Sequence, residues 1–261
     1  HGESETGSYS TRGSIRNTTH AYHVGMFNGG AHRNIKRFSF TAPSGITDVG
    51  EHSNPAYQAN SAGATDGTYG FVMGGTTSPG TGLTDIEKFT MASPAPSADT
   101  GADLNATIAS TAGASDIGGA TMYHFGGERG SPLSGVDTIE RGAFSISSGN
   151  ATDHGELAIG GARHNLAGTQ SPTYGYCAGG APAKDEIEKF AFGSGANSTD
   201  VGDMIAGKKS LACCASPTHG HHMGGSPLVD TIARWTFAAD ANSVDFGELS
   251  TTEQGGSGVE N

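Results

Sequence analysis

No run in this chain approaches the 18 apolar residues that a membrane-spanning helix requires, so no membrane insertion is expected. Cysteine is scarce: Cys177, Cys213 and Cys214 are the only three, and two of them are adjacent. An odd count with neighbouring residues implies no disulfide framework, because adjacent cysteines bridge only with strain. They read as small buried residues on strands of a protein assembled in a reducing cytoplasm. Cations are few as well. Fourteen Lys and Arg stand against 26 Asp and Glu, a formal charge of −12. That balance disfavours nucleic acid, whose phosphates must be neutralised by Lys and Arg. A glycine-rich phosphate loop is also missing, since the Gly-Gly pairs lead into turns rather than helices. The chain opens at His1 with neither Met nor an apolar signal region, the start expected of a processed or trimmed product or a fragment. An N-terminal histidine can chelate copper through its amine and ring, but no second histidine stands at a supporting spacing, and an arbitrary cut explains it as well.

What the chain has instead is glycine, 43 residues of it, and a repeat. Gly-Gly pairs begin at Gly29, Gly74, Gly126, Gly179 and Gly224, at spacings of 45, 52, 53 and 45 residues. Behind each comes an isoleucine: Ile35, Ile86, Ile139, Ile187 and Ile232. An apolar-x-apolar pair follows, as Phe38/Phe40, Phe89/Met91, Phe144/Ile146, Phe190/Phe192 and Trp235/Phe237. An Asp-x-Gly turn closes each copy, at Asp48/Gly50, Asp99/Gly101, Asp153/Gly155, Asp200/Gly202 and Asp245/Gly247. A period of this size means a solenoid, a propeller or an array. The segments between landmarks are short, apolar and bounded by turn residues, so they read as strands. Ile187 and Phe190 are three apart and point to opposite faces, because side chains alternate along a strand. Apolar groups on both faces call for a sheet packed between two others. In copy three the same landmarks, Ile139 and Phe144, are five apart, an insertion of two that keeps the parity.

The unit length with four short strands suits a propeller blade of the kelch type. A closer resemblance lies in Asn150 to Leu157 (NATDHGEL), Arg163 to Thr173 (RHNLAGTQSPT) and Tyr174 to Gly180 (YGYCAGG). These are similar to kelch-like repeats in virion proteins of marine bacteriophages, including predicted tail-fibre proteins. The resemblance extends over nearly the whole chain, with copy two departing most where Ala102-Asp103 replaces the Gly-acid-Leu ending. It implies an all-β fold, a five-bladed kelch-like propeller of four-stranded blades in one domain over residues 1–261. Inner strands are expected near 22–30, 67–75, 119–127, 172–180 and 217–225. Residues 1–20 resemble the tail of a repeat, and the last copy stops after Gly247 to Leu249. The N-terminal segment is therefore expected to complete the last blade. Trp235, at the Phe position of other copies, is expected between blades.

The resemblance further implies a virion structural or adhesion module on a tail or head fibre. Its partners would be other virion proteins and a host-surface receptor or glycan; the alternative is a passive decoration or spacer. A secreted kelch-type carbohydrate-active or copper enzyme ranks lower. Acids that recur in every copy suit turns rather than a catalytic pair, so no enzyme is expected. Four Asn-x-Ser/Thr sequons begin at Asn17, Asn105, Asn150 and Asn197, and turn chemistry accounts for those preceding Asp-x-Gly. The loops after Gly-Gly vary most in length, and Thr76–Thr84 and Glu128–Val136 are the longest. Variable loops are where partners are met, which singles out Thr76, Thr77, Ser78, Glu128, Arg129 and Ser131 on one face of blades two and three. Two residues before each Gly-Gly stand Phe27, Val72, His124, Cys177 and His222. Were that position axial, His124, Cys177 and His222 would converge as ligands for a transition metal; otherwise they are polar residues lining a wet channel.

Overall fold

Each copy of the repeat folds into its own antiparallel sheet, and the five sheets form a five-bladed β-propeller. The computed structural model describes residues 8–9, 15–27, 33–41, 45–77, 81–93, 95–130, 134–159 and 161–256. Blade 1 is Ile15–Arg16, His20–Val24, Asn34–Ser39 and Thr47–Glu51. Blade 2 is Ala62–Thr65, Tyr69–Met73, Leu83–Thr90 and Ala98–Ile108. Blade 3 follows with Ala112–Asp116, Thr121–Phe125, Thr138–Ala143 and Thr152–Glu156. Blade 4 comprises Ala167–Gln170, Tyr174–Ala178, Lys184–Ala191 and Thr199–Lys208. Blade 5 comprises Ala212–Ala215, His219–Met223, Val229–Thr236 and Val244–Glu253. The first strands of blades 1 to 5 touch one another in succession, so they stand innermost.

Two expectations are corrected by this phase. The Gly-Gly runs are second strands, one place out from the axis. The true first strands, such as Ala62–Thr65, carry little beyond Ala, Gly and Thr and so leave almost no mark in the sequence. Nor does the N-terminus complete the last blade. Ile15 and Arg16 pair with Tyr22 and Ala21 inside blade 1, and blade 5 receives its inner strand from Ala212–Ala215. Ser8–Tyr9 pairs with Met26–Phe27, again within the first repeat. Every blade is one contiguous stretch of chain.

Small residues bring the inner strands close together. A Cβ on Gly113 would lie 2.4 Å from the Gly63 carbonyl oxygen, and one on Gly168 would lie 2.5 Å from that of Gly113. The blades themselves pack as the parity of the Ile and Phe landmarks requires. Ile187 sits in a core with Trp235 of blade 5, while Phe190 on the other face joins Tyr123 and Phe125 of blade 3. Trp235 is buried at 2% exposure and stands over Gly220, where a Cβ would be 2.2 Å from the indole. Phe190 covers Gly175 and Phe89 covers Gly70 in the same way. Blade 3 inverts the arrangement: Met122 on the second strand faces Gly142 on the third. Phe144 lies beyond the strand end, yet still stacks on Phe71 of blade 2 at 5.1 Å. That exchange accounts for the two-residue insertion in copy three.

Candidate functional site

The recurring acids, expected in turns, lie instead within the fourth strands, where the pairing register shifts. Asp48, Asp99, Asp200 and Asp245 each accept a hydrogen bond on Oδ1 from the N–H of the glycine two residues on, at 2.8–3.2 Å. These glycines also admit the neighbouring blade. A Cβ on Gly50 would stand 2.3 Å from the Ala95 carbonyl oxygen, and one on Gly155 2.6 Å from that of Ala196.

His124, Cys177 and His222 do not converge. They lie on second strands, behind Gly113, Gly168 and Cys213 of the inner strands, and face three different gaps between blades. Among the described residues no three His, Cys, Asp or Glu side chains are grouped to hold a metal ion. Their surroundings reveal another pattern, because Val72, His124 and Cys177 stand directly across from Glu87, Glu140 and Glu188. These three glutamates are buried at 0–3% exposure. Glu87 accepts from the backbone of Ser53 and Asn54, Glu140 from Asn105 and Glu188 from Ile159, all in segments leaving the preceding blade. The same carboxylates are joined by Ser97 in blade 2, His124 and Arg129 in blade 3, and Ser198 and Arg163 in blade 4.

Each member of the expected metal set therefore has a structural partner of its own. His124 Nε2 lies 3.1 Å from Glu140. Burial would raise the Glu140 pKa, but His124, the Asn105 N–H and Arg129 overcome it and hold the carboxyl at about 2. Burial pushes the Cys177 thiol up to about 12. In blade 5, Ala233 replaces the glutamate and His222 Nε2 bonds Ser243 Oγ at 2.9 Å instead. Burial lowers His222 to about 4.

The loop residues singled out in blades 2 and 3 are engaged by the scaffold. Thr76 is buried and donates to the Ala59 carbonyl at 3.1 Å, and Thr77 is half-buried in a short pairing with Tyr57–Ala59. Glu128 pairs with His164, and Arg129 reaches Glu140 at 2.6 Å. Ser78 and Ser131 lie outside the described residues.

A concave site lies on the opposite face, at the mouth of the axis. Turns from the first to the second strand enclose a depression of about 410 Å³ lined by Arg16, Ser115, Ile117, Gln170, Pro172 and Pro217 among others. Arg16, Thr65, Ser115, Gln170 and Ala215 hold equivalent places in their blades. Three links join them: Thr65 Oγ1 donates to the Arg16 carbonyl, the Thr65 N–H to Ser115 Oγ, and the Ser115 N–H to Gln170 Oε1. With its oxygen committed, Gln170 retains amide N–H donors, and Arg16 lines the same depression. Ile117, 55% exposed, and the two prolines supply an apolar rim. Sequence reasoning missed this site because its residues sit on the unmarked first strands. The available signal was Ser-Pro-Thr at both Ser171 and Ser216.

No protein-family model matches the chain, and no curated protein does. Among solved structures it is similar to the one described as "Structure of YjhT", with a TM-score of 0.76 at 12% sequence identity, covering 98% of this chain and 88% of that one. At that identity the likeness concerns the fold: the chain shares its β-propeller architecture with that protein.

Proposed function

We propose that this propeller is a non-enzymatic binding module, a virion adhesion protein of the phage kind its repeats resemble, and that it holds a host-surface glycan at the mouth of its axis. The observation that carries this reading is the chemistry of that depression. Amide and guanidinium donors stand beside an apolar rim, a pairing that suits a sugar, whose hydroxyls need partners and whose C–H face needs apolar cover. Arg16 forms no ion pair with a described residue, so a carboxylate- or sulfate-bearing glycan fits it best. Four of the recurring aspartates accept glycine N–H groups within the fourth strands, and the buried glutamates are engaged in blade contacts, which removes the most obvious acid–base candidates.

The test is binding of the purified protein to immobilised sulfated, uronate-bearing and neutral polysaccharides. Retention on the charged sugars, lost at least tenfold in Arg16→Ala with unchanged melting temperature, is the expected result. No retention on any glycan or host cell, with stable attachment to other virion proteins, would favour a passive spacer.

A further inference from the structure

Four of the five blade boundaries follow one plan. The backbone N–H groups of Ser97, Ala151, Ser198 and Ser243 donate to the carbonyls of Glu51, Asp103, Glu156 and Asp203 on the outer strand of the preceding blade, at 2.7–2.9 Å. The residues at Val49, Thr100, His154 and Val201 on those strands are buried at 3–8% exposure. Behind them a Cβ on Gly50, Gly101, Gly155 or Gly202 would come within 2.3–2.9 Å of the next blade's loop. Buried cores fill these four boundaries, each with an aromatic of one blade against an aromatic of the next: Tyr22 with Phe89, Phe71 with Phe144, Tyr123 with Phe190 and Tyr176 with Trp235.

The outer face of blade 5 is built to the same plan and lacks its counterpart. Phe246 stands where Val201 stands and is 54% exposed, with Val244 beside it at 58%. A Cβ on Gly247 would meet nothing within 4 Å, and Glu248 and Ile46, the equivalents of Asp203 and Ser243, share no backbone hydrogen bond. His221, in the Tyr176 place, turns onto its own blade's Phe246 at 5.5 Å, and Arg234 lies over the same ring at 4.4 Å. Across the gap, Phe38 of blade 1 stacks on its own His23, and Phe40 is 42% exposed. Yet blade 5 ends as if handing on to a neighbour. Asn60, Ser110, Asn165 and Ser210 occupy left-handed crossover positions, each bonded to the one before, and Gly255 continues the series with φ +73° and its N–H on the Ser210 carbonyl.

We infer that the outer face of blade 5 is an interaction surface for one further four-stranded β-repeat of this same kind. Such a repeat presents an aromatic on its third strand toward His221 and a loop N–H toward the Glu248 carbonyl. It covers Phe246 as blade 5 covers Val201. The established boundaries carry the choice of occupant, because the surface repeats their acceptor, spacing and crossover.

The test extends the full chain after Gln254 with a second copy of residues 210–253, so that the added Ser210 falls where Gly255 now stands. A single-tryptophan pair, Phe246→Trp in the original copy with Trp235→Phe in every copy, reports on the surface with and without the extension. Expected are free iodide quenching in the unextended protein, a severalfold smaller quenching constant in the extended one, and a melting temperature raised by several degrees. Equal quenching in both forms would overturn the inference. So would a shielded probe in the unextended protein: if it is monomeric by light scattering the ring seals on itself, and if it is dimeric the surface belongs to a second copy.

Discussion

Removing Glu188 should cost more than removing any surface charge, because of what it leaves behind. Arg163 and Glu188 are both fully buried at the boundary of blades 3 and 4, joined through Nη2 and Oε1. Glu188 also receives Ser198 Oγ and the Ile159 N–H. In Glu188→Ala the guanidinium keeps its charge in the interior, where Nε and Nη1 have no hydrogen-bond partner among the described residues and the next acid, Glu186, stands 4.0 Å away. Breaking a buried pair from one side costs about 3–5 kcal/mol, a large share of the roughly 5–15 kcal/mol that holds a domain folded. Replacing both members removes the stranded charge. The double variant Arg163→Met with Glu188→Leu should therefore recover at least half of the single loss, the remainder reflecting the donors of Ser198 and Ile159, at about 1–3 kcal/mol for each one left unmet. Urea unfolding followed by far-UV circular dichroism, run as a double-mutant cycle, measures both quantities. A Glu188→Ala loss below about 1 kcal/mol, or a double variant as unstable as the sum of its singles, would refute the account.

Trp235→Ala should cost about 3–5 kcal/mol, whereas Trp235→Phe, which restores the residue of other copies, should stay within about 1.5 kcal/mol; urea midpoints decide, and native indole emission at the wavelength of free tryptophan would refute burial. Acid should destabilise the fold in two stages. Burial holds His52 at about 3 and His222 at about 4, below the ordinary 6.5, so the stability tied to their neutral forms is present above pH 6.5 and lost as pH falls toward 4 and 3. Glu140, held at about 2 against an ordinary 4.5, adds a loss below pH 4.5. Melting temperatures from pH 8 to 3 should decline through both windows, and a flat curve between pH 7 and 4.5 would contradict the histidine assignment.

The blade count and the sandwiching of each sheet were legible because they rest on residues with few alternatives. A glycine pair with positive φ, as at Gly179 and Gly180, fixes a turn, and an Ile and Phe three apart fix two buried faces. The phase of the repeat was not legible. Inner strands such as Ala62–Thr65 are short, and their glycines permit close approach instead of contributing apolar side chains. The expected convergence of three ligands failed for a related reason. His124, Cys177 and His222 do share one repeat position, but equivalence in a repeat places residues in successive gaps between blades, not at one point. The depression at the axis was hidden because Arg16, Ser115 and Gln170 are chemically dissimilar, and only the fold reveals that they are equivalents.

The buried glutamates connect these observations. Their position on the third strand faces the preceding blade, and in blades 2, 3 and 4 it holds that blade's departing chain through backbone N–H groups. A buried carboxylate is tolerated only with such partners, since desolvating it alone is costly. Where the neighbour differs, the residue differs. Blade 5 has Ala233, and there Ser243 turns to His222. Blade 1 has Lys36, which faces Asp48 of its own outer strand at 3.5 Å. The absence of a glutamate at Lys36 and the exposure of Phe246 are thus two sides of one boundary. At that position blade 1 carries a cation where blades 2, 3 and 4 carry a buried carboxylate, and the matching face of blade 5 leaves Phe246 and Val244 exposed.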